Sequence, residues 1–355
     1  MLKVHYQHYI LKFKRPSGTS RGVLTTKESY FIFVENPRNP GVIGIGECSL
    51  LRGLSQDDRE NYEEKLQEVC HQLRQVNSSE IEFFLLDLID WPSIRFGVEM
   101  ALQDLAMGGK RSLYKTPFTA GNPIPINGLV WMGKKDFMYE QIVAKLESGF
   151  TCIKLKIGAI DFATELDLLA RIRKEFRRDT IEIRVDANGA FKPENALEKL
   201  RFLADSNLHS IEQPIPPGRW EEMALLCEKT PLPIALDEEL IGINNPSSKQ
   251  ELLKKIKPQY IILKPSLLGG FAATKEWINY AEQSKIPWWI TSALESNIGL
   301  NAIAQFASNT NISMPQGLGT GQLYTNNFPS PLEVRSGKIY YRQDVSWDLS
   351  SLSLD

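Results

Sequence analysis

Histidine and cysteine are scarce. The 355 residues contain only His5, His8, His71 and His209, and Cys48, Cys70, Cys152 and Cys227. There is no HExxH and no CxxC, so zinc hydrolysis has almost no ligands to draw on. A Ser-His-Asp triad is disfavoured for the same reason, although spacing alone leaves it open. Four scattered thiols make no disulfide framework, which points to a reduced, cytoplasmic setting. Long apolar runs are missing too. The richest, residues 83–89, is broken by Asp87 and is too short to cross a bilayer, and the N-terminal stretch has no signal-peptide core. Positive charge is not in excess: 41 Lys+Arg against 43 Asp+Glu leave a net charge of −2, and the basic runs at 12–15 and 171–178 are short. Neither nucleic acid nor membrane is therefore an expected partner. Gly41, Gly44 and Gly46 do not space as a dinucleotide fingerprint. Acid–base chemistry, if present, falls to Lys, Asp and Glu.

Strand signals at 30–35 and 42–48, followed by helical spacing at 56–77 and 93–107, predict an α+β module over residues 1–118. From 119 to 322 the pattern becomes a short apolar strand followed by an amphipathic helix, repeated. Strands are expected at 126–131, 152–157, 181–186, 210–212, 234–237, 260–264 and 288–292. Units of this kind predict parallel strands. A doubly wound sheet would satisfy the pattern, but the run of equal units favours a closed (β/α) barrel of the TIM type. An eighth strand is weak, with 314–321 the only candidate. Residues 323–355, with a strand expected at 333–341, follow the barrel and are read as returning to the first module.

Polar residues recur at the C-terminal end of these strands: Lys154 and Lys156, Asp186 and Asn188, Glu212, Asp237, Lys264 and Ser292. From Lys156 the steps are 30, 26, 25, 27 and 28 residues. In a barrel the strand C-termini surround one pocket, so these side chains would converge. Any one of the acids reads equally well as a helix N-cap, and any one lysine as a snorkelling surface cation. Three acids in register, flanked by lysines, favour a site. Asp186, Glu212 and Asp237 offer hard oxygen ligands with no thiolate or imidazole, which suits Mg²⁺, with Mn²⁺ as a substitute. Lys156 and Lys264 would face each other across the pocket. Crowded cations depress a lysine pKa, and lowering it from about 10.4 to about 7.5 corresponds to about 4 kcal/mol. A lysine base beside a carboxylate-bound divalent ion suits proton abstraction next to a substrate carboxylate. The Gly269-Gly270 pair reads as a tight strand-to-helix turn more readily than as a phosphate cradle.

The ordered set Lys154-Leu-Lys156, Asp186-Ala-Asn188-Gly, Glu212-Gln-Pro214, Leu236-Asp237-Glu238 and Leu263-Lys264-Pro265 resembles the enolase superfamily, in its muconate-lactonising subgroup. Phe96-Gly97-Val98-Glu99-Met100-Ala101-Leu102 is similar to that subgroup's capping-domain motif. The segment from Ile290 to Leu300 resembles the branch that forms 2-succinylbenzoate in menaquinone biosynthesis. The resemblance implies a Mg²⁺-dependent dehydratase acting on a small carboxylate, 2-succinyl-6-hydroxy-2,4-cyclohexadiene-1-carboxylate. It implies that Lys156 removes the proton, that Lys264 steadies the enediolate, and that Asp186, Glu212 and Asp237 hold the metal. It further implies substrate contacts from Lys154, Asn188, Ser292 and Arg21, the last being equally readable as a surface cation. Segments 17–21 and 51–55 resemble the two loops that close over such pockets. The alternative is an N-acylamino acid racemase or dipeptide epimerase built on the same lysine pair. Dipeptide epimerases usually carry Asp-x-Asp near strand eight, where this chain has Gly317-Leu-Gly319-Thr-Gly321. A metal-binding barrel without catalysis would not need the lysines. No oligomeric state is legible.

Overall fold

The first strand, β1 (Lys3–Thr19), pairs antiparallel with β2 (Gly22–Glu35), which pairs with β3 (Ile43–Cys48). The structure is a computed structural model and describes residues 1–19 and 22–353. Alternation along β2 splits its apolar residues between two cores. Tyr30, Ile32 and Val34 pack with the helices Tyr62–Leu73 and Pro92–Ala106, whereas Phe31 and Phe33 join the core of the barrel. The Pro92–Ala106 helix lies against β3 almost backbone to backbone. A Cβ on Gly46 would stand 1.8 Å from Gly97 O, and one on Gly97 would stand 2.4 Å from Cys48 Sγ. β1 and the short helix Ile81–Leu86 go beyond the expected elements. In β1 the basic run is strand, with Phe13 buried between exposed Lys12 and Lys14.

After β4 (Ile124–Pro125) comes the parallel sheet: β5 (Gly128–Val130), β6 (Cys152–Lys156), β7 (Glu182–Asp186), β8 (Ser210–Glu212), β9 (Ile234–Leu236), β10 (Tyr260–Leu263) and β11 (Trp288–Ile290). The strands neighbour one another in chain order without the reversal of a doubly wound sheet. All seven expected strands are present. The eighth is not a strand: Gln316 and Gly317 make only single bridges, to Ile126 on one side and Thr291 on the other. Backbone hydrogen bonds nevertheless close the ring there. Gln316 N donates to Pro125 O and Asn127 N to Gln316 O, both at 2.9 Å, and Gly317 N donates to Ile290 O at 2.8 Å. The fold is thus a modified (β/α) barrel with an α+β cap.

Strand alternation also sorts the barrel side chains. Ile153, Leu155, Ile183, Val185 and Ile211 face outward into the core shared with the helices. Lys154, Lys156, Arg184, Asp186 and Glu212 occupy the other face. A small apolar plug of Ala235, Ile262 and Trp289 fills the interior below, with the Arg184 guanidinium 4.3 Å from the Trp289 ring centroid.

The chain ends in a hairpin, β12 (Leu332–Arg335) and β13 (Lys338–Tyr341), turned by Ser336 and Gly337, both of positive φ. It pairs with β4 through Ile339 and Ile124. Flanking residues reach β1: Lys14 N donates to Leu323 O at 2.8 Å, and Ser353 N to Gln7 Oε1 at 2.8 Å. Among the described residues no helix is long and apolar enough to cross a membrane.

Candidate active site

Parallel register brings the strand-end residues level. Lys156 is paired with Asp186, and Asp186 with Glu212. Asp237 follows β9 directly and Lys264 follows β10. All five are buried. Lys156 Nζ donates to Asp186 Oδ2 at 2.6 Å and to Asn188 Oδ1 at 2.8 Å. Lys154 Nζ lies between two acids, 2.8 Å from Asp186 Oδ2 and in direct contact with Glu212 Oε2. Lys264 Nζ pairs with Asp237 Oδ2 and lies 3.9 Å from Glu212 Oε1.

These contacts revise the expectation of cation crowding. Burial alone would lower Lys154 and Lys264, but Asp186 and Glu212 around the first, and Asp237 and Glu212 around the second, hold both pKa values above the ordinary lysine range. The acids respond unequally. Burial would raise Asp186, yet Lys154 and Lys156 keep it well below its usual value. Lys264 lowers Asp237 against the same burial. Glu212 is pushed well above its usual value by burial and by the Asp186 charge.

The lysines open onto a cavity of about 250 Å³. Its barrel wall includes Asn127, Leu129, Trp131, Ser292 and Thr320; its cap wall includes Val23, Leu24, Leu51 and Leu54. Ser292 Oγ shares a 2.6 Å hydrogen bond with Thr320 Oγ1. Of the 51–55 segment, Leu51 to Leu54 border the cavity. In the other cap segment, Ser17 and Gly18 belong to β1, and the lining residues are Gly22 to Leu24. Arg21 lies outside the described residues. Asn188 faces Lys156 and donates from Nδ2 to Glu238 Oε1 at 2.9 Å, bordering a neighbouring cleft instead. Leu129 and Trp131 are missed by charge-based reading. Strand register exposes them, because Leu129 pairs with Lys154, and Trp131 continues that inward alternation. Gln213 is likewise found only in three dimensions: its Oε1 accepts from the N–H groups of Asp237 and Glu239, both at 3.2 Å, bracing the Asp237 turn.

Do the three acids suit a divalent ion? Among the described residues, no three of the His, Cys, Asp and Glu side chains already converge as a ligand set, since the lysine ammonium groups stand between the acids. The donors are nonetheless hard oxygens at the ends of adjacent strands. Glu212 Oε1 is buried with no hydrogen-bond partner. An acid raised by a like-charged neighbour, with an orphaned oxygen, is an arrangement that a cation relieves.

Residues 138–344 match the family described as enolase C-terminal domain-like. Over 95% of its length the chain is 48% identical to the o-succinylbenzoate synthase of Desulfotalea psychrophila, covering 98% of that protein. The crystal structure of MenC from Desulfotalea psychrophila superposes with a TM-score of 0.84 at 45% identity, covering 96% of this chain and 99% of that one. A dipeptide epimerase from Cytophaga hutchinsonii, complexed with Mg and a dipeptide, shares the fold, with a TM-score of 0.83 at 23% identity over 99% of this chain and 97% of that one. Similarity that spans the capping strands as well as the barrel, at nearly half identity, makes this chain a member of the enolase superfamily.

Proposed function

We propose that the chain is a Mg²⁺-dependent o-succinylbenzoate synthase, dehydrating 2-succinyl-6-hydroxy-2,4-cyclohexadiene-1-carboxylate to 2-succinylbenzoate and water for menaquinone biosynthesis. The observation that carries this reading is the 48% identity to an o-succinylbenzoate synthase along 95% of the chain. The lysine-and-acid ring at the strand ends supports it.

Asp186, Glu212 and Asp237 would hold the metal, which supplies positive charge against the doubly charged enediolate form of the substrate carboxylate. Lys156, once it has given up a proton, takes the proton from the ring carbon bearing that carboxylate, leaving the electron pair in the enediolate. Lys264, ammonium in form, faces the other side of the ring and balances the developing charge. The C–O bond to the ring hydroxyl then breaks, Lys156 returns its proton to the departing hydroxide, and water and the aromatic ring result. Asn188, through its 2.8 Å contact, orients the Lys156 amine. Lys154 neutralises the acids beneath the substrate. Residues 22–24 and 51–54 cover the cavity and exclude water.

Epimerisation on the same lysine pair is the competing reading. Supplying the cyclohexadiene carboxylate in one assay, and N-acylamino acids and dipeptides in deuterated water in another, separates them. Succinylbenzoate formation as the faster reaction is expected. Epimerisation without succinylbenzoate overturns the proposal.

A further inference from the structure

Leu294 has a φ of +67°. A leucine enters this left-handed region only under constraint, because its side chain crowds the backbone there. The constraints are visible. Tyr324 Oη donates to Leu294 O at 2.6 Å, and Ala293 N donates to Glu295 Oε2 at 2.6 Å. The other Glu295 oxygen accepts from Ser266 Oγ at 2.5 Å. Ser266 lies two residues beyond Lys264, so one fully buried carboxylate ties the Lys264 segment to the loop carrying Leu294. The loop is also anchored to the cap. Glu47 of β3 accepts from Ser296 Oγ at 2.6 Å and from Gly299 N at 3.0 Å, with Lys27 Nζ 3.9 Å away.

Leu294 lines the cavity and packs in one apolar cluster with Leu24 of the cap. Glu295 does not line it. It acts on the cavity only through its neighbours.

We propose that Glu295 is a positioning residue that holds Leu294 in its strained backbone, and that Leu294 thereby forms the apolar wall against which the substrate ring packs. This deepens the dehydratase reading and rests on it. A compact six-membered carbon ring gains from a fixed apolar wall in the cavity that Lys264 also lines. An extended N-acyl chain gains from its removal. The clamp therefore selects a cyclic carboxylate over an acylamino acid.

The test compares Leu294→Ala, Leu294→Gly, Glu295→Ala and Glu295→Gln with the unaltered enzyme, reading Tm, kcat and KM for the cyclohexadiene carboxylate, and KM for an N-succinylamino acid. Both Leu294 variants are expected to raise KM for the ring substrate roughly tenfold with a smaller change in kcat, since an apolar wall contact discriminates on that scale. Glu295→Ala is expected to do the same. Glu295→Gln retains an acceptor for Ala293 N–H and an N–H for Ser266 Oγ, and is expected to restore most of the loss. Leu294→Gly is expected to melt above Leu294→Ala, because glycine relieves strain that alanine keeps. Leu294→Gly melting below Leu294→Ala overturns the clamp, whatever reaction the enzyme performs. Lower Tm with unchanged KM in Leu294→Ala and Glu295→Ala overturns the selective role and leaves a structural one. Absence of succinylbenzoate formation in the unaltered enzyme counts against the dehydratase reading alone, with the Tm order still deciding the clamp.

Discussion

Lys156 and Asp186 occupy paired positions on neighbouring strands, and their side chains meet at 2.6 Å. A proposed base and a proposed metal ligand therefore share a contact. A cation drawing Asp186 away would take one partner from the Lys156 nitrogen and leave it Asn188 Oδ1.

Removing the amine should remove turnover. Lys156→Ala is expected to lower kcat by about a thousandfold, within the range for loss of a general base. Circular dichroism should be unchanged, because the strand carrying it is held by backbone ladders on both sides. Turnover within tenfold of the unaltered enzyme would place the base elsewhere.

Chelation should abolish activity, and Mg²⁺ should restore it. An ion that binds only the folded chain also raises Tm, by about 2.7 kcal/mol of stability at a concentration one hundred times its Kd. Calorimetry should show this rise in the unaltered protein and its loss in Glu212→Gln. A Tm indifferent to Mg²⁺ in both proteins would remove Asp186, Glu212 and Asp237 from the metal assignment.

Glu99, on the capping helix, gives a pH signature outside the site. Its Oε2 accepts from Phe271 N at 2.5 Å, with Arg95 Nε 3.4 Å from Oε1. Burial outweighs Arg95 and the backbone donors and lifts its pKa to about 7. The folded chain then binds the proton more tightly than the unfolded chain between about pH 4.5 and 7. Stability from this group is present below that window and is lost as pH rises through it, with an upper bound of about 3 kcal/mol. Denaturant titrations of the unaltered protein and Glu99→Gln should diverge across the window. Parallel curves would refute the shift.

Gly46→Ala tests the cap's close contact. The new Cβ would meet Gly97 O at 1.8 Å, which no side-chain movement can relieve. Overpacking of this kind typically costs about 1–3 kcal/mol, and a backbone partner puts it at the upper end. A Tm equal to that of the unaltered protein would mean the helix shifts freely.

Much of this was legible in the sequence because six of the seven barrel strands, β6 to β11, end on or lead into a polar residue. The positions of Lys156, Asp186, Glu212, Asp237 and Lys264 follow from counting alone. The eighth position was not legible, since Gln316 and Gly317 carry no apolar run and are recruited by backbone hydrogen bonds. Leu129 and Trp131 escaped because apolar residues on a strand look like core until register shows which way they point. Gln213, Glu295 and Tyr324 act through partners remote in sequence, or on adjoining backbone in a conformation that spacing does not encode. Counting placed acids and lysines together but not which outweighs the other; in the folded site the acids outweigh cation crowding at Lys154 and Lys264.

Seven staves of this barrel are sewn by ladders along their length, and the eighth is a joint of a few backbone bonds at Gln316 and Gly317. That joint continues into Gly319 and Thr320, which border the cavity. The seam that closes the ring is therefore also part of the cavity wall, so a substitution at Gly317 would act on ring closure and pocket shape at once.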